Sequence, residues 1–154
     1  MNEIHDLLRY DPESGNFYWK LNRGRLAKAG DVAGTLVDGY IKIKIKGKLY
    51  AAHRLVFLLE DGVFPEGDVD HKNKIKYDNR RVNLRKATRR QNLQNTPARS
   101  NNKLGVKNVD FKKDRYRVVL RIDGKPKYIG SYEELELATL VAEEARSKYY
   151  GEFA

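Results

Sequence analysis

The sequence predicts an α+β protein in two parts, and three observations support this. Residues 40–46 alternate apolar and basic side chains, as an antiparallel strand with one buried face does. Residues 52–60 place apolar side chains at helical spacing, and Gly62 follows as a C-terminal stop. Residues 96–102 have no apolar face, and a second strand-and-helix pattern begins after them. We therefore predict a first domain over residues 1–95, a linker over 96–104 and a second domain over 105–154.

The first domain is predicted to have β-hairpins ahead of its long helix. Apolar residues at i, i+3 and i+4 indicate a short helix over residues 1–9. Turn residues at 11–15 then precede a strand at 16–19. After the alternating strand, residues 47–48 should turn the chain into a further strand at 49–51.

The second domain is predicted to be a three-stranded sheet with one helix. Strands are indicated at residues 105–111, 116–122 and 127–130, and an Asp123-Gly124 turn joins the last two. Ser131 and Glu134 form the S-x-x-E pattern of a capping box, so the helix should begin there and run to about residue 149. Its predicted apolar face consists of Leu135, Ala138, Ala142, Ala145 and Tyr149.

The composition favours a polyanionic partner. The 154 residues include 31 Lys and Arg against 21 Asp and Glu, a net charge of +10. The charge is also compatible with a protein that is merely soluble and basic. The absence of cysteine excludes disulfides and thiolate zinc sites. No apolar run approaches the ~20 residues of a membrane span, and the N-terminus lacks the pattern of a signal peptide. We expect a soluble, intracellular, cytoplasmic protein.

A carboxylate and an imidazole stand side by side at Asp70-His71, and asparagines follow at Asn83 and Asn92. The pair is followed by the most basic stretch of the chain, because residues 72–99 contain ten Lys and Arg and one acid. An unshifted histidine is partly unprotonated near neutral pH, so His71 can act as a general base. Asp70 and the Asn92 carbonyl are oxygen donors of the kind that Mg²⁺ prefers. Asn83 is the candidate to hold the imidazole in place.

Two local features must support this site. Neighbouring strand residues point to opposite faces, so Asp70 and His71 can share a site only if the strand ends or bends there. The polar residues 72–81 make such an end plausible. Thr88 and Gln91 form a T-x-x-Q capping box, which predicts a helix that carries Asn92 in its first turn and a half.

The chain resembles a known family of nucleases. Asp70-His71, Asn83-Leu84-Arg85 and Asn92 are similar to the HNH motif of His-Me finger (ββα-metal) nucleases, especially homing endonucleases of phages and introns. The HRLV sequence at 53–56, Phe64-Pro65 and Asp78-Asn79-Arg80 resemble the same family. Residues 105–154 resemble the DNA-binding domain of plant ethylene-response (Apetala-type) factors, through Gly105-Val106, the strand at 116–122, Ile129-Gly130 and the final Gly-Glu-Phe-Ala. Tyr116 departs from that pattern, which usually has tryptophan there.

The resemblance implies a role for each matching residue. His71 would be the general base, and Asp70 and Asn92 would bind one Mg²⁺, for which Mn²⁺ can substitute. Asn83 would brace the loop after His71. The substrate would be double-stranded DNA, cut to leave 3′-hydroxyl and 5′-phosphate ends by a monomer or a dimer. The basic residues expected to contact DNA are Lys42, Lys44, Arg54, Arg80, Arg81, Arg85, Arg89, Arg90, Arg115, Arg117, Arg121 and Lys127.

Three alternatives stay open. The chain is compatible with a sequence-specific DNA-binding protein without catalysis, although the complete Asp, His and Asn set argues against it. An RNA-binding or ribosomal protein would explain the charge and the ten tyrosines but not that set. A structural, junction-binding partner in a larger complex is the third. The role of Lys42 and Lys44 is also open. They can contact phosphates, or they can simply keep an exposed strand soluble.

Overall fold

The computed structural model describes residues 2–154, and the chain divides into two compact units, Met1–Arg89 and Arg90–Ala154. The elements of the first unit are α1 (Asn2–Leu7), β1 (Leu8–Tyr10), β2 (Phe17–Trp19), β3 (Thr35–Val37), β4 (Tyr40–Ile45), β5 (Lys48–Ala51), α2 (Ala52–Asp61), β6 (Asp68–His71), a 3₁₀ turn (Arg81–Asn83) and β7 (Leu84–Ala87). Helix α3 (Arg89–Gln94) begins at the last residue of this unit. The second unit continues with β8 (Val109–Lys112), β9 (Arg115–Ile122), β10 (Lys125–Tyr132), α4 (Leu135–Tyr150) and a 3₁₀ turn (Gly151–Phe153). The mixed α and β content is confirmed, whereas the ββα-metal arrangement stays a prediction.

Small antiparallel sheets build the first unit: β1 pairs with β2, β6 with β7, and β4 lies between β3 and β5. The helix predicted over residues 1–9 is too long, and residue 1 lies outside the described part of the chain. Leu8 begins a strand, because it lies opposite Trp19 and is 1% exposed in the core. Strand pairing with β2 therefore overrides the helical spacing at this position.

The alternating strand lies where it was predicted. Ile43 and Ile45 are buried in β4, and Lys44 between them is exposed. The turn after it lies one residue earlier than expected, at Lys46-Gly47, where φ is 47° and 81°. Two positive φ angles in a two-residue loop are what a tight hairpin with the right-handed strand twist requires.

Helix α2 organises the core of the first unit. It begins at Ala52, as predicted, and ends at Asp61. Gly62 is its C-cap residue, with φ 76°, and donates its N–H to the Leu58 carbonyl at 3.1 Å. A residue without a Cβ takes this left-handed conformation at no steric cost. The buried face of α2 packs with Leu8, Phe17, Trp19, Ile43, Ile45, Val69 and Leu84. Burial of Val69 and Leu84 fixes the β6–β7 hairpin, which carries the candidate site, onto this core.

The second unit contains the three strands and one helix predicted for it, in the order β10-β9-β8. The predicted capping box is wrong, because Ser131 still belongs to β10 and α4 begins at Leu135. Glu134 is the N-cap residue and makes no side-chain cap hydrogen bond. Tyr150, not Tyr149, faces the core: Tyr150 is 8% and Tyr149 36% exposed.

The segment predicted as a linker, residues 96–104, contains no helix or strand and belongs to the second unit. Residues 100–101 and 103–104 of this segment are turns, and the Asn102 N–H donates to the Arg99 carbonyl at 2.9 Å. The Lys107 ammonium group donates to the carbonyls of Gln94 and Thr96.

None of the helices within residues 2–154 combines the length and the apolar character that a membrane span requires.

Candidate active site

The β6–β7 hairpin carries the Asp70-His71 pair. Asp70 lies opposite Arg85, and His71 lies opposite Leu84. Because directly opposed residues share a face of an antiparallel pair, the two side chains leave the strand on different faces. The strand includes both residues and ends after His71, so that they share one site stays a prediction; both are buried, at 4% and 5% exposed.

The Asp70 carboxylate forms a buried ion pair with Arg85. Its Oδ2 accepts a hydrogen bond from Nε of Arg85 at 2.7 Å and lies 2.6 Å from Nη2. The side chains are only 5% and 10% exposed, so each charge depends on the other for solvation. The metal ligand predicted at residue 70 is therefore in contact with a cation, and the guanidinium predicted to contact DNA is directed at a carboxylate.

The His71 imidazole lies in a small aromatic cluster. Its ring centroid is 5.3 Å from that of His53, with an interplanar angle of 84°, and 6.1 Å from that of Tyr40. His53 and Tyr40 lie 5.4 Å apart. On the polar side, Nε2 of His71 lies 3.5 Å from Oδ1 of Asn79, at the long limit of a hydrogen bond. This contact and the packing of two rings orient the imidazole.

Burial favours the neutral form of both histidines in this cluster. Burial lowers the pKa of His71 below its usual 6.5, although the contact with Asn79 and the charge of Asp70 act in the opposite direction. Burial, followed by the neighbouring His71 and Arg54, lowers the pKa of His53 to about 4. A neutral imidazole has a lone pair, so His71 is in the state that a general base requires at neutral pH.

Asn79 is a contact of the imidazole that the sequence did not reveal. It is 2% exposed, and its amide nitrogen donates to the Tyr77 carbonyl at 3.1 Å. The Tyr10 hydroxyl donates to its backbone carbonyl at 2.9 Å. The turn at Gly15 packs against it so closely that a Cβ there would lie 2.8 Å from the Asn79 carbonyl carbon. The Asp78–Arg80 motif was the only available signal, and it indicated no role for its central residue.

Asn83 holds the loop and not the ring. Its Oδ1 accepts from the Asn73 N–H at 3.0 Å, and its Nδ2 donates to the Asp78 carbonyl at 2.8 Å. Its backbone carbonyl also accepts from the Lys72 N–H at 2.9 Å. This corrects the expectation that Asn83 contacts the imidazole, since one amide group that bridges both arms of the loop does not reach His71. Its predicted role as a brace stays a proposal.

The single acid of the basic stretch is used within the loop. Asp78 accepts from Nε and Nη2 of Arg80 at 2.8 and 2.6 Å, and from the Asn73 amide at 2.7 Å. The Arg80 contact lowers the pKa of Asp78 to about 2. Arg81 contacts Asp61 at 3.3 Å and lies over the Phe57 ring at 4.4 Å, so much of its side chain packs on α2.

The remaining basic residues predicted to contact DNA in the first unit differ in availability. Lys44 is exposed, and Lys42 forms an ion pair with Asp38 at 3.6 Å. Arg54 donates to the carbonyls of Gly67 at 2.8 Å and Pro65 at 2.5 Å, so it holds the segment that leads into β6. Arg89 is 79% exposed and lies 3.3 Å from an oxygen of Asp68.

The other predicted metal ligand, Asn92, lies on α3 among the residues of the second unit. That it shares an ion with Asp70 stays a prediction. Within residues 2–154 no group of three or more His, Cys, Asp or Glu could hold a metal ion. One carboxylate and one amide oxygen nevertheless fit Mg²⁺, because this ion keeps several waters and takes few protein ligands.

The strand cations of the second unit do not share one face. Arg115, Arg117 and Arg121 alternate along β9 with the buried Val118 and Leu120, so they lie on the side of the sheet away from α4. Their polar contacts are with Glu133, with Asp110 and with the Gly124 carbonyl, respectively, and Arg90 contacts Asp123.

Lys127 is the exception among these cations. It lies opposite Leu120, which packs against α4. Its ammonium group is 4.5 Å from the ring centroid of Tyr149 on that helix. The expectation that Lys127 shares a face with the three arginines is wrong, because strand register places it on the helix side of the sheet; that it contacts DNA stays a prediction.

One comparison with known proteins bears on this site. Residues 50–94 match the family model of HNH endonucleases. The matched span contains α2, the β6–β7 hairpin with its loop, and α3, and thus every residue predicted to act in catalysis or metal binding. The match supports a nuclease, and HNH nucleases generally use a divalent metal ion. No curated protein and no solved structure matches the chain.

Proposed function

We propose that the chain is a Mg²⁺-dependent HNH endonuclease that hydrolyses phosphodiester bonds of double-stranded DNA with His71 as its general base. The observation that supports this best is the buried, neutral imidazole at the end of β6, inside the segment that matches HNH endonucleases. Asn79, 3.5 Å from Nε2, is the residue that positions it.

The chemistry follows from the state of that ring. The side-chain carbonyl of Asn79 faces Nε2, which favours the proton on Nε2 and leaves the lone pair on Nδ1. Nδ1 accepts a proton from water, the water oxygen forms a bond to phosphorus, and the bond from phosphorus to the 3′ oxygen breaks. The 3′ oxygen takes up a proton from solvent, so the products are a 3′-hydroxyl and a 5′-phosphate.

Asp70 and Asn92 would hold the metal ion. When bound, it supplies positive charge for the phosphate oxygens and for the leaving oxygen, for which an imidazole alone cannot compensate. A metal ion can bind Asp70 only in competition with Arg85, because two nitrogens of Arg85 lie 2.6 and 2.7 Å from Oδ2 of Asp70. Arg85 thus lowers the affinity of Asp70 for a cation and orients its carboxylate at the same time.

The second unit would add binding to DNA beside the cleavage site. Arg115, Arg117 and Arg121 share the outer face of the sheet, and they can exchange their present contacts with Glu133, Asp110 and the Gly124 carbonyl for phosphates. The resemblance to homing endonucleases of phages and introns suggests a recognised site, and the Apetala-type resemblance suggests how this unit reaches it.

A plasmid assay tests the proposal. Wild-type protein should cut supercoiled DNA with Mg²⁺ or Mn²⁺ and not with EDTA, and the ends should be ligated without prior phosphorylation. His71→Ala should remove cutting and leave DNA affinity within a few-fold, because the ring acts on water and adds little phosphate affinity. His5→Ala, on the exposed side of α1, is the matched control. A His71 variant that cuts at the wild-type rate would remove this residue from the mechanism.

One observation favours a second function, sequence-specific DNA binding without catalysis. In a protein whose metal site had decayed, Arg85 would neutralise the Asp70 carboxylate in place of the metal ion, and the Asp70–Arg85 ion pair is such a contact. Titration with Mn²⁺ followed by electron paramagnetic resonance separates the two functions. A nuclease should bind one ion, and Asp70→Asn should weaken that binding, whereas a binding protein without catalysis should show neither effect.

A further inference from the structure

A closed basic loop, residues 20–28, projects from the first unit and has no role in the chemistry above. Its base is fixed to β2, because Trp19 N–H donates to the Asp31 carbonyl at 3.0 Å and Gly30 N–H donates to the Trp19 carbonyl at 2.8 Å. Its tip is fixed as well, since Arg23 N–H donates to the Ala27 carbonyl at 2.7 Å. This hydrogen bond encloses only residues 24–26, so the tip of the loop consists of three residues.

The tip presents one apolar and one cationic side chain to solvent. Leu26 is 95% exposed, more than any other large hydrophobic residue in the described chain. Arg25 beside it is exposed, and over residues 2–154 its side chain makes no hydrogen bond or ion pair. Arg23, in contrast, stacks on the Trp19 ring at 4.6 Å and so braces the loop. A leucine this exposed at the end of a braced loop is unlike the scattered surface leucines that need no explanation.

The charge of the loop indicates its partner. Residues 20–30 contain Lys20, Arg23, Arg25 and Lys28 and no acid. The nearest acid, Asp31, accepts the Lys28 backbone N–H at 2.8 Å, so its carboxylate caps the loop backbone. A cationic, narrow projection with an apolar end is complementary to a polyanion that has a narrow groove.

We propose that this loop enters the minor groove of duplex DNA, with Arg25 in the groove and Leu26 as a wedge between base pairs. The inference rests on the proposed action on DNA and adds how the duplex is gripped and bent. The minor groove is about 6 Å wide, which admits a three-residue tip but not a helix. Apolar wedges of leucine, inserted beside arginine, are a general means of unstacking a base step and kinking the duplex.

The role of Leu26 distinguishes this proposal from simple phosphate contact. A phosphate attracts the charge of Arg25 but gains nothing from contact with an apolar leucine side chain. The test uses full-length protein and two 30-base-pair duplexes, one rich in A·T and one in G·C, each with one 2-aminopurine. The variants are Leu26→Ser, Arg25→Lys, which keeps the charge, and the control Leu36→Ser. Leu36 is 61% exposed on β3, outside the loop. Anisotropy gives affinity, 2-aminopurine fluorescence gives unstacking, and thermal melting checks the fold.

Wild-type protein should prefer the A·T-rich duplex, raise 2-aminopurine fluorescence and lose affinity when netropsin fills the minor groove. Leu26→Ser should abolish the fluorescence rise, and Leu26→Ser and Arg25→Lys should each weaken binding by a few-fold to about tenfold, with Leu36→Ser unchanged. Binding that netropsin and both loop variants leave unaffected would overturn the loop proposal alone. A wild-type protein that binds neither duplex would overturn the proposed action on DNA together with it.

Discussion

Replacing His53 by phenylalanine should make the first unit less sensitive to acid. Burial is the first cause that lowers the pKa of this residue from 6.5 to about 4, and the neighbouring His71 is the second. The folded chain therefore binds this proton less readily than the unfolded chain does. The contribution of His53 to stability is complete above pH 6.5 and is lost as the pH falls towards the folded pKa.

The size of the effect follows from that shift. Between pH 7 and pH 4, protonation of the unfolded chain at His53 should cost the folded state about 3 kcal/mol, at about 1.4 kcal/mol for each pKa unit. Phenylalanine keeps a ring against Tyr40 and His71 and has no titrating nitrogen. It also removes Nδ1, which is buried without a hydrogen-bond partner among the described residues. At pH 7 we therefore expect a change of less than about 1.5 kcal/mol.

The chain has a built-in reporter for this measurement. Trp19 is its only tryptophan and is 8% exposed in the core of the first unit, so its fluorescence follows the unfolding of that unit. Urea titrations at pH 7 and pH 4 should show wild-type protein losing about 3 kcal/mol more than His53→Phe. His5→Phe, at an exposed position of α1, is the control. Equal acid losses in wild-type protein and His53→Phe would refute the assignment of this proton to residue 53.

Four further outcomes are expected. Asn79→Ala should lower the single-turnover cleavage rate by about 10- to 100-fold with little change in DNA affinity, because it removes the contact that orients the base. Asp70→Asn should raise the Mg²⁺ concentration at half-maximal cleavage, and equal metal dependence would place the ion elsewhere. Gly15→Ala should destabilise the first unit by about 1–3 kcal/mol in urea titration, because φ is +74° and the new Cβ would lie 2.6 Å from the Arg80 nitrogen. Log affinity for duplex DNA should fall steeply with log salt, and neutralising cations in residues 72–99 should flatten the slope.

The Asp70–Arg85 pair bears on how such a site is tuned. The two residues are directly opposed in the hairpin, so their contact follows from strand register. A metal ion that binds Asp70 must compete with the guanidinium, whereas an unpaired buried carboxylate would be costly to keep ionised. Arg85 therefore stabilises the fold of the site at some cost in metal affinity, and Arg85→Met should bind Mn²⁺ more tightly if the fold survives.

The sequence predicted the parts of the fold that local rules decide. Helix α2 and its stop at Gly62 follow from apolar spacing and from the one residue that takes positive φ freely. Strand β4 follows from strict alternation. The end of β6 at His71 follows from the change to polar residues. These signals act within a few residues, so they can be read without knowing the rest of the chain.

The sequence by itself thus determined which residues stand together at Asp70-His71, and that they lie at a strand end in the most basic part of the chain. Only the tertiary structure decided which side chain holds the imidazole. Asn79 is fixed by a hydrogen bond to Tyr10, 69 positions away, and by the turn at Gly15. Lys127 faces α4 for a similar reason, since strand register and not composition sets its side of the sheet. Contacts between distant segments depend on which helices and strands pack together, and periodic patterns show which face of an element is buried but not which element covers it.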